Sequence, residues 1–330
     1  MGPRLPAYGR GMDCSETASS APLARAERFV WLTARVLDQH RFAYHFLDGG
    51  ADAVETALTA YERSDGGFGH ALEPELRGPV SQPRHAVRAL RLLDETGRCE
   101  GRRAERICRY LTGISTPDGA LPALHPSLRG YPVAPWLPLR EHPPSDLLTT
   151  GPVVGLLHRN RVWHAWLFRA TDFCWASVGA LADGAKADPR EVAAAVAFLD
   201  GAPDRPRAEE LAERLGRSVR ERRLVWLDPG RPAAPPTEGG PWETRLPLYE
   251  IARTPASLAR RWFTDAEVDR ALDFLTAAQQ PDGGWPAAAA GPGAAPGTAV
   301  EWAPAIGVES RPVATVDALL ALRAYGRAIT

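Results

Sequence analysis

The sequence predicts an all-α fold built from repeated helix pairs, and three observations predict it. Apolar residues recur at three- and four-residue spacings along most of the chain, the period of an amphipathic helix. No stretch alternates with period two for long enough to make a sheet. A short Asp-Gly turn recurs between helices at a spacing that suggests repeated units.

In chain order, residues 1–21 are rich in Gly, Pro and Ser without an apolar period, and read as a disordered leader ahead of one domain over 22–330. The first helix is expected from Leu23, on Phe29, Leu32 and Val36, continuing to Phe46. Ala51–Tyr61 follows on Val54 and Leu58, Arg84–Glu95 on Val87 and Leu90, and Arg103–Leu111 on Ile107. Leu147–His158 opens on Asp146, an expected N-cap, and Trp163–Leu181 carries Trp163 and Trp166 three apart, a spacing suited to packing between helices. Pro189–Leu199, Arg207–Val219, Asp265–Ala277 and Val313–Tyr325 complete the set.

The turns are Asp65-Gly66-Gly67-Phe68, Asp118-Gly119-Ala120-Leu121 and Asp282-Gly283-Gly284-Trp285, 53 and 164 residues apart. Weaker Asp-Gly and Asp-Pro-Gly turns at Asp183 and Asp228 fall in the longer gap, giving five or six helix-loop-helix units of about fifty residues. Such a unit cannot bury its apolar stripe alone, so the units close into a ring or stack as an open solenoid. The Asp and Gly suit a tight turn, with the aromatic packed between helices, which assigns Asp65, Asp282 and Trp285 first to the scaffold.

Composition narrows the function. With 45% hydrophobic residues, 24% charged and a net charge of -1, the 330-residue chain reads as an ordinary globular protein. No basic surface suggests a nucleic-acid partner, and Arg102, Arg103, Arg106 and Arg109, interleaved with acids, read as a solvated helix face. No segment approaches the length of a membrane span, and a cytoplasmic location is the default expectation. Cys14, Cys99, Cys108 and Cys174 make no Cys-x-x-Cys pair and read as inert thiols. The only lysine, Lys186, follows no phosphate-cradling glycine loop.

Gln279-Gln280-Pro281-Asp282-Gly283-Gly284-Trp285 resembles the repeat of squalene and hopene cyclases, and Glu62 to Gly69 is a variant of it. The passage after Asp65 also resembles the loop into an inner helix in protein prenyltransferase β-subunits, and Asp65–Arg77 with Asp282–Arg327 is similar to bacterial squalene-cyclase-like proteins. The resemblance implies an all-α (α/α) toroid, or barrel, of five or six helix pairs around a central cavity. It implies a terpene-cyclase-like enzyme that takes a small apolar substrate, such as a polyprenyl chain, into that cavity. Those families' chemical motifs are missing. The chain has no Asp-x-Asp-Asp, no two adjacent aspartates, and neither the zinc ligands of protein prenyltransferases nor the zinc centre of lantibiotic cyclases. The expectation is therefore no cofactor and no metal, with magnesium only if the substrate is a diphosphate.

His70, Glu73, Glu75 and Arg77 form the densest polar group, in the loop after the first turn. An imidazole and two carboxylates in one loop suit general acid/base work, because burial beside a like charge raises one carboxyl pKa. The same glutamates can instead cap the next helix or pair with Arg77 and Arg84. If the ring closes, Glu309 and Arg311 in the last unit come beside this loop, with Glu301 and Trp302 ahead of them. Asp146 is a further candidate acid. The expected catalytic set is thus Glu73, Glu75, His70, Glu309 and Asp146. The expected substrate contacts are Arg77, Trp136, Trp285, Glu301, Trp302 and Arg311, the tryptophans offering faces that stabilise a cation. A carbohydrate-active hydrolase or lyase, using two carboxylates and a polar groove, and a non-catalytic binding scaffold are the alternatives.

Overall fold

The computed structural model describes residues 21–134, 137–185, 188–227, 246–287 and 304–330. Twelve α-helices carry these residues: α1 Pro22–Thr33, α2 Val36–Phe46, α3 Ala51–Thr59, α4 Pro83–Glu95, α5 Gly101–Ile114, α6 Leu147–Arg159, α7 Trp166–Ala182, α8 Pro189–Gly201, α9 Arg205–Glu221, α10 Leu248–Ile251, α11 Asp265–Ala277 and α12 Pro304–Ala324. The only strands among the described residues are the parallel pair β1 Val225–Trp226 and β2 Leu246–Pro247. The fold is all-α, as the periodicity predicts. The expected leader, the Asp228 turn and Trp136, Glu301 and Trp302 lie outside the described residues.

The helix contacts run in a cycle. α12 packs on α2, α2 on α3, α3 on α4, α4 on α6, α6 on α8, α8 on α10, α10 on α11, and α11 on α12. Outside that cycle, α5 packs on α7 and α7 on α9. The α6–α8 contact is the tightest, because a Cβ added at Gly201 would stand 2.0 Å from the Gly155 carbonyl oxygen. One apolar cluster runs from Ala26 to Ile329 and includes the fully buried Phe42, Phe68, Phe198 and Trp285.

The three Asp-Gly turns share one hydrogen-bond pattern. Asp65, Asp118 and Asp282 accept through Oδ1 from the backbone N–H two residues on, at 2.9, 3.3 and 3.0 Å. Each following glycine has φ near +90°, at +89°, +86° and +93°, a region glycine enters without strain. These glycines press on the backbone or Cβ of a neighbouring helix: Gly66 on Arg106 of α5, Gly119 on Arg169 of α7, and Gly283 on Arg25 of α1. The last turn thus treats the first helix as the first turn treats α5. Phe68, Leu121 and Trp285 fill the space behind the turns.

Three expectations need correction. The helix expected from Leu23 to Phe46 is two helices, broken at Ala34 and Arg35, which are extended. Phe29 is buried as expected, but Leu32 and Val36, which continue the apolar period, are 75% and 61% exposed, and Val30 and Leu37 are buried in their place. Trp163 lies outside α7, 79% exposed against Phe168, whereas Trp166 is buried as expected. The final helix starts at Pro304 and continues through Pro312, so Glu309 and Arg311 sit within it and not in a loop before it. A proline inside a helix forfeits one hydrogen bond, which the length of α12 tolerates. Cys99, Cys108 and Cys174 are free and buried, the inert state expected of them.

Candidate functional site

The loop joining α3 to α4 is bent by two consecutive non-glycine residues in the left-handed region, His70 at φ +55° and Ala71 at φ +56°. Each such residue costs on the order of 1 kcal/mol or more, so something must hold the bend. Arg35 does so from the break between α1 and α2, donating to the carbonyls of Ala71 at 2.9 Å and Leu72 at 3.1 Å. Beyond the bend the loop is pinned to residues 132–134 by Arg77 N–H to the Pro132 carbonyl and by Ala134 N–H to the Glu75 carbonyl, both 3.1 Å.

The bend separates the predicted residues. His70 points out, exposed, beside Arg63 at 3.3 Å, while Glu73 is half-buried. Glu75 pairs with Arg84 at 2.9 Å, the pairing expected of it. Arg77 pairs with Glu309 of α12 at 3.0 Å, which joins the loop after the first turn to the last helix. Asp146 caps α6 through the Thr149 N–H at 3.0 Å. Arg311 holds Asp282 by two bonds of 2.7 Å, and the Trp285 indole N–H donates to the Leu275 carbonyl at 2.7 Å. These last two are part of the third turn.

Four charged side chains are half-buried by accessible surface: Glu73 of the loop, Arg91 of α4, Glu250 of α10 and Asp317 of α12, the last with 37% of its side chain accessible.

Charged residues also gather on one face of α4. Arg84, Arg88, Arg91 and Glu95 fall at i, i+4, i+7 and i+11 on α4, one face of the helix, opposite the apolar Ala86, Ala89, Leu90 and Leu93. Asp38 of α2, 1% accessible, meets Arg88 at 2.8 Å and Arg35 at 3.3 Å. Arg41, 3% accessible, reaches Glu95 at 2.7 Å and Asp317 at 2.5 Å, and His45 adds a contact of 3.0 Å to Glu95. Burial alone would raise the Glu95 carboxyl, yet Arg41 and His45 hold it well below the usual range.

Glu73 is different. Its carboxyl has no hydrogen bond or ion pair among the described residues, and burial pushes it up, against the opposing pull of Arg88, Arg84 and Arg91. Burial also raises Asp146 and Glu250. His85, fully buried beneath the loop, contacts the Phe68 carbonyl at 3.0 Å and is pushed down to about 4 by burial, so it is neutral. The Glu73 carboxyl therefore stands in the field of Arg88, Arg84 and Arg91 with its neutral form favoured by burial. A separate outer pocket of about 400 Å³, lined by Arg63, Asp65, Ser81, Tyr110 and His125 among others, includes neither Glu73 nor the charged face of α4. Sequence reasoning missed Arg41, Arg88, Arg91, Glu250 and Asp317; the available signal was the Arg-Arg-Arg-Glu stripe on the helix that follows the first turn.

No family model matches the chain, and no curated protein does. Solved structures do. A protein from Actinoplanes is 20% identical, with 92% of this chain and 88% of that one covered at a TM-score of 0.51, a likeness of fold. The type II terpene cyclase MstE from Scytonema, in a variant complexed with geranylgeranyl dihydroxybenzoate, is 16% identical, with 82% and 73% covered at a TM-score of 0.41. The second value is too low to carry an argument.

Proposed function

We propose that this protein is an isoprenoid-cyclase-like enzyme in which Glu73 is the general acid. The observation that supports it is the state of Glu73: a half-buried carboxyl, pushed up in pKa by burial and without an ion-pair partner among the described residues. An acid that starts a cyclisation must arrive protonated and leave a stabilised carboxylate. The Glu73 hydroxyl gives its proton to one carbon of a substrate double bond, and the new carbocation is consumed by a neighbouring double bond as the ring forms. The carboxylate left behind lies in the field of Arg88, Arg84 and Arg91, which strengthens the acid at the moment of transfer. The final cation loses a proton to a base, restoring the charge balance. Arg35 and the strained bend at His70 and Ala71 act as positioning elements that fix the loop carrying Glu73.

The test is product analysis by gas chromatography and mass spectrometry after incubation with squalene, farnesyl diphosphate and geranylgeranyl diphosphate, with and without magnesium. A cyclic product lost in Glu73→Gln and retained in His70→Gln is the expected result. Absence of product from all three substrates overturns the cyclase reading.

A further inference from the structure

The outer pocket of about 400 Å³ beside the first turn is walled by three loop segments and one helix. The loop segments are the turn at Arg63 and Asp65, the approach to α4 at Val80 and Ser81, and the short helical turn that follows His125. α5 adds Arg109, Tyr110, Gly113 and Ile114, spaced i, i+1, i+4 and i+5 and so on one helix face. Gln82, fully buried, fixes the polar groups around His125. The His125 N–H can only donate, and it meets Gln82 Oε1 at 2.9 Å, so Gln82 Nε2 is the atom that donates to Ser127 Oγ at 3.0 Å. The Ser127 N–H likewise can only donate, and it meets His125 Nδ1 at 3.2 Å. Nδ1 therefore carries the lone pair, and the ring holds its hydrogen on Nε2, which has no partner among the described residues. Burial pushes the His125 pKa down and so favours this neutral form.

The polar lining is thus rich in donors. The Arg63 guanidinium has no carboxylate partner among the described residues and touches the His70 imidazole at 3.3 Å. Arg109 pairs with Glu105, one turn back on the same helix, at 2.8 Å with the two side chains 70% and 60% accessible, a contact that solvent screens. Tyr110 is 8% accessible, and its hydroxyl has no hydrogen-bond partner among the described residues, an uncommon state for a buried polar group. The one carboxylate of the lining, Asp65, has Oδ1 committed to the Gly67 N–H at 2.9 Å and the Ser81 hydroxyl at 2.8 Å. Val80, Ile114 and the Tyr110 ring make the rest of the wall apolar. We propose that this pocket binds a small organic oxyanion, a carboxylate or a phosphate ester, with its charge on the Arg63 and Arg109 side and its apolar body against Val80, Tyr110 and Ile114. Guanidiniums suit such oxygens because their N–H groups match the geometry of carboxylate and phosphate. The pocket includes neither Glu73 nor the charged face of α4, so this site stands or falls apart from the cyclase reading.

The test uses the full chain, with phenylacetate, phenyl phosphate, inorganic phosphate and the neutral phenylacetamide titrated by calorimetry at constant ionic strength. Saturable binding of phenylacetate or phenyl phosphate is expected, tighter than that of inorganic phosphate, which lacks the apolar body, and of phenylacetamide, which lacks the charge. The preferred anion separates carboxylate from phosphate recognition. Arg63→Gln should weaken its binding roughly 10- to 100-fold, the range of a charge-assisted contact. Arg109 is more exposed, and Arg109→Gln should weaken it about 2- to 5-fold. Gly113 allows the pocket to be filled. A Cβ there meets nothing within 4 Å, so Gly113→Phe should abolish binding and melt no lower than the parent, since glycine inside a helix is unfavourable. Arg217→Gln, exposed on α9, should leave binding unchanged. No saturable binding of either aromatic anion, equal affinity for phenylacetamide, or affinity unchanged in both Arg63→Gln and Gly113→Phe overturns the site. Anion binding without any cyclic product rejects the cyclase reading alone, and a cyclic product without anion binding rejects this site alone.

Discussion

Two sets of charges share the interior of this fold, and the chain treats them oppositely. Asp38, Arg41, Arg88, Glu95 and Asp317 tie α2, α4 and α12 together through contacts of 2.5–2.8 Å. The side chains of Glu73, in the loop ahead of α4, and Arg91, on it, have no such partner among the described residues. The network shows that this chain can neutralise interior charge with good geometry where three helices need fastening. Both are instead penalised where they stand, Glu73 by burial and Arg91 by a neighbouring cation and by burial.

The comparison breaks most visibly at Arg41. Arg41→Met removes the partner of both Glu95 and Asp317 and leaves two carboxylates facing each other with one counter-charge fewer. A loss of about 3–5 kcal/mol in urea unfolding is expected at pH 7. The pH dependence should change with it. Burial raises both carboxyls, but Arg41 and its neighbours hold their folded pKa values below the unfolded ones. That stability is present above the ordinary carboxylate range and is lost as pH falls through it. Arg41→Met should therefore be less sensitive to acid between neutral pH and pH ~3 than the parent.

The other side of the comparison is Glu73, where the sign reverses. Its folded pKa is raised, so its contribution favours the fold below the unfolded carboxyl value and is lost as pH rises through the folded one. Arg88, Arg84 and Arg91 work against the shift and Glu75 adds to it, so the effect is smaller than at Arg41. Glu73→Gln is expected to raise the melting temperature at pH 7–8, with the gain vanishing near pH ~4, where the acid is neutral in both states. Equal melting curves at every pH would show that the carboxyl is not held above its ordinary value.

How far this was legible in the sequence depended on the range of the interaction. The Asp-Gly turns, the Asp146 cap and the Glu75–Arg84 pair are local, and the residues that make them are near each other in the chain. Helix existence was legible for the same reason. The break at Ala34 and Arg35 was not, because Leu32 and Val36 continue the apolar period while facing solvent. The interior network was hidden by a symmetry of pattern. Arg102, Arg103, Arg106 and Arg109 on α5 and Arg84, Arg88 and Arg91 on α4 are alike as helical spacing, yet Arg109 is 70% accessible and Arg88 4%. What separates them is which helix of a pair faces inward, and that is decided by contacts with α2 and α12. Those elements are up to 276 residues away in sequence, as at Arg41 and Asp317.

The smallest expected effect tests how the two ends of the chain are held. Arg77 and Glu309 meet at 3.0 Å with side chains 31% and 30% accessible, and they are the pair that the sequence placed side by side on the premise of closure. Exposure to that degree leaves solvent to screen the pair, so a double-mutant cycle of Arg77→Ala and Glu309→Ala should give a coupling of roughly 0.2–1 kcal/mol, smaller at high salt. The ends are joined more firmly elsewhere: Gly283 against Arg25 of α1, the Leu23 N–H to the Ile329 carbonyl at 2.8 Å, and Gln279 to the Pro22 carbonyl at 2.8 Å. A coupling well above this range would mean that the pair is shielded from water and belongs with the interior network. A coupling near zero would leave α1 and the third turn as the elements that bring the last helix back to the first.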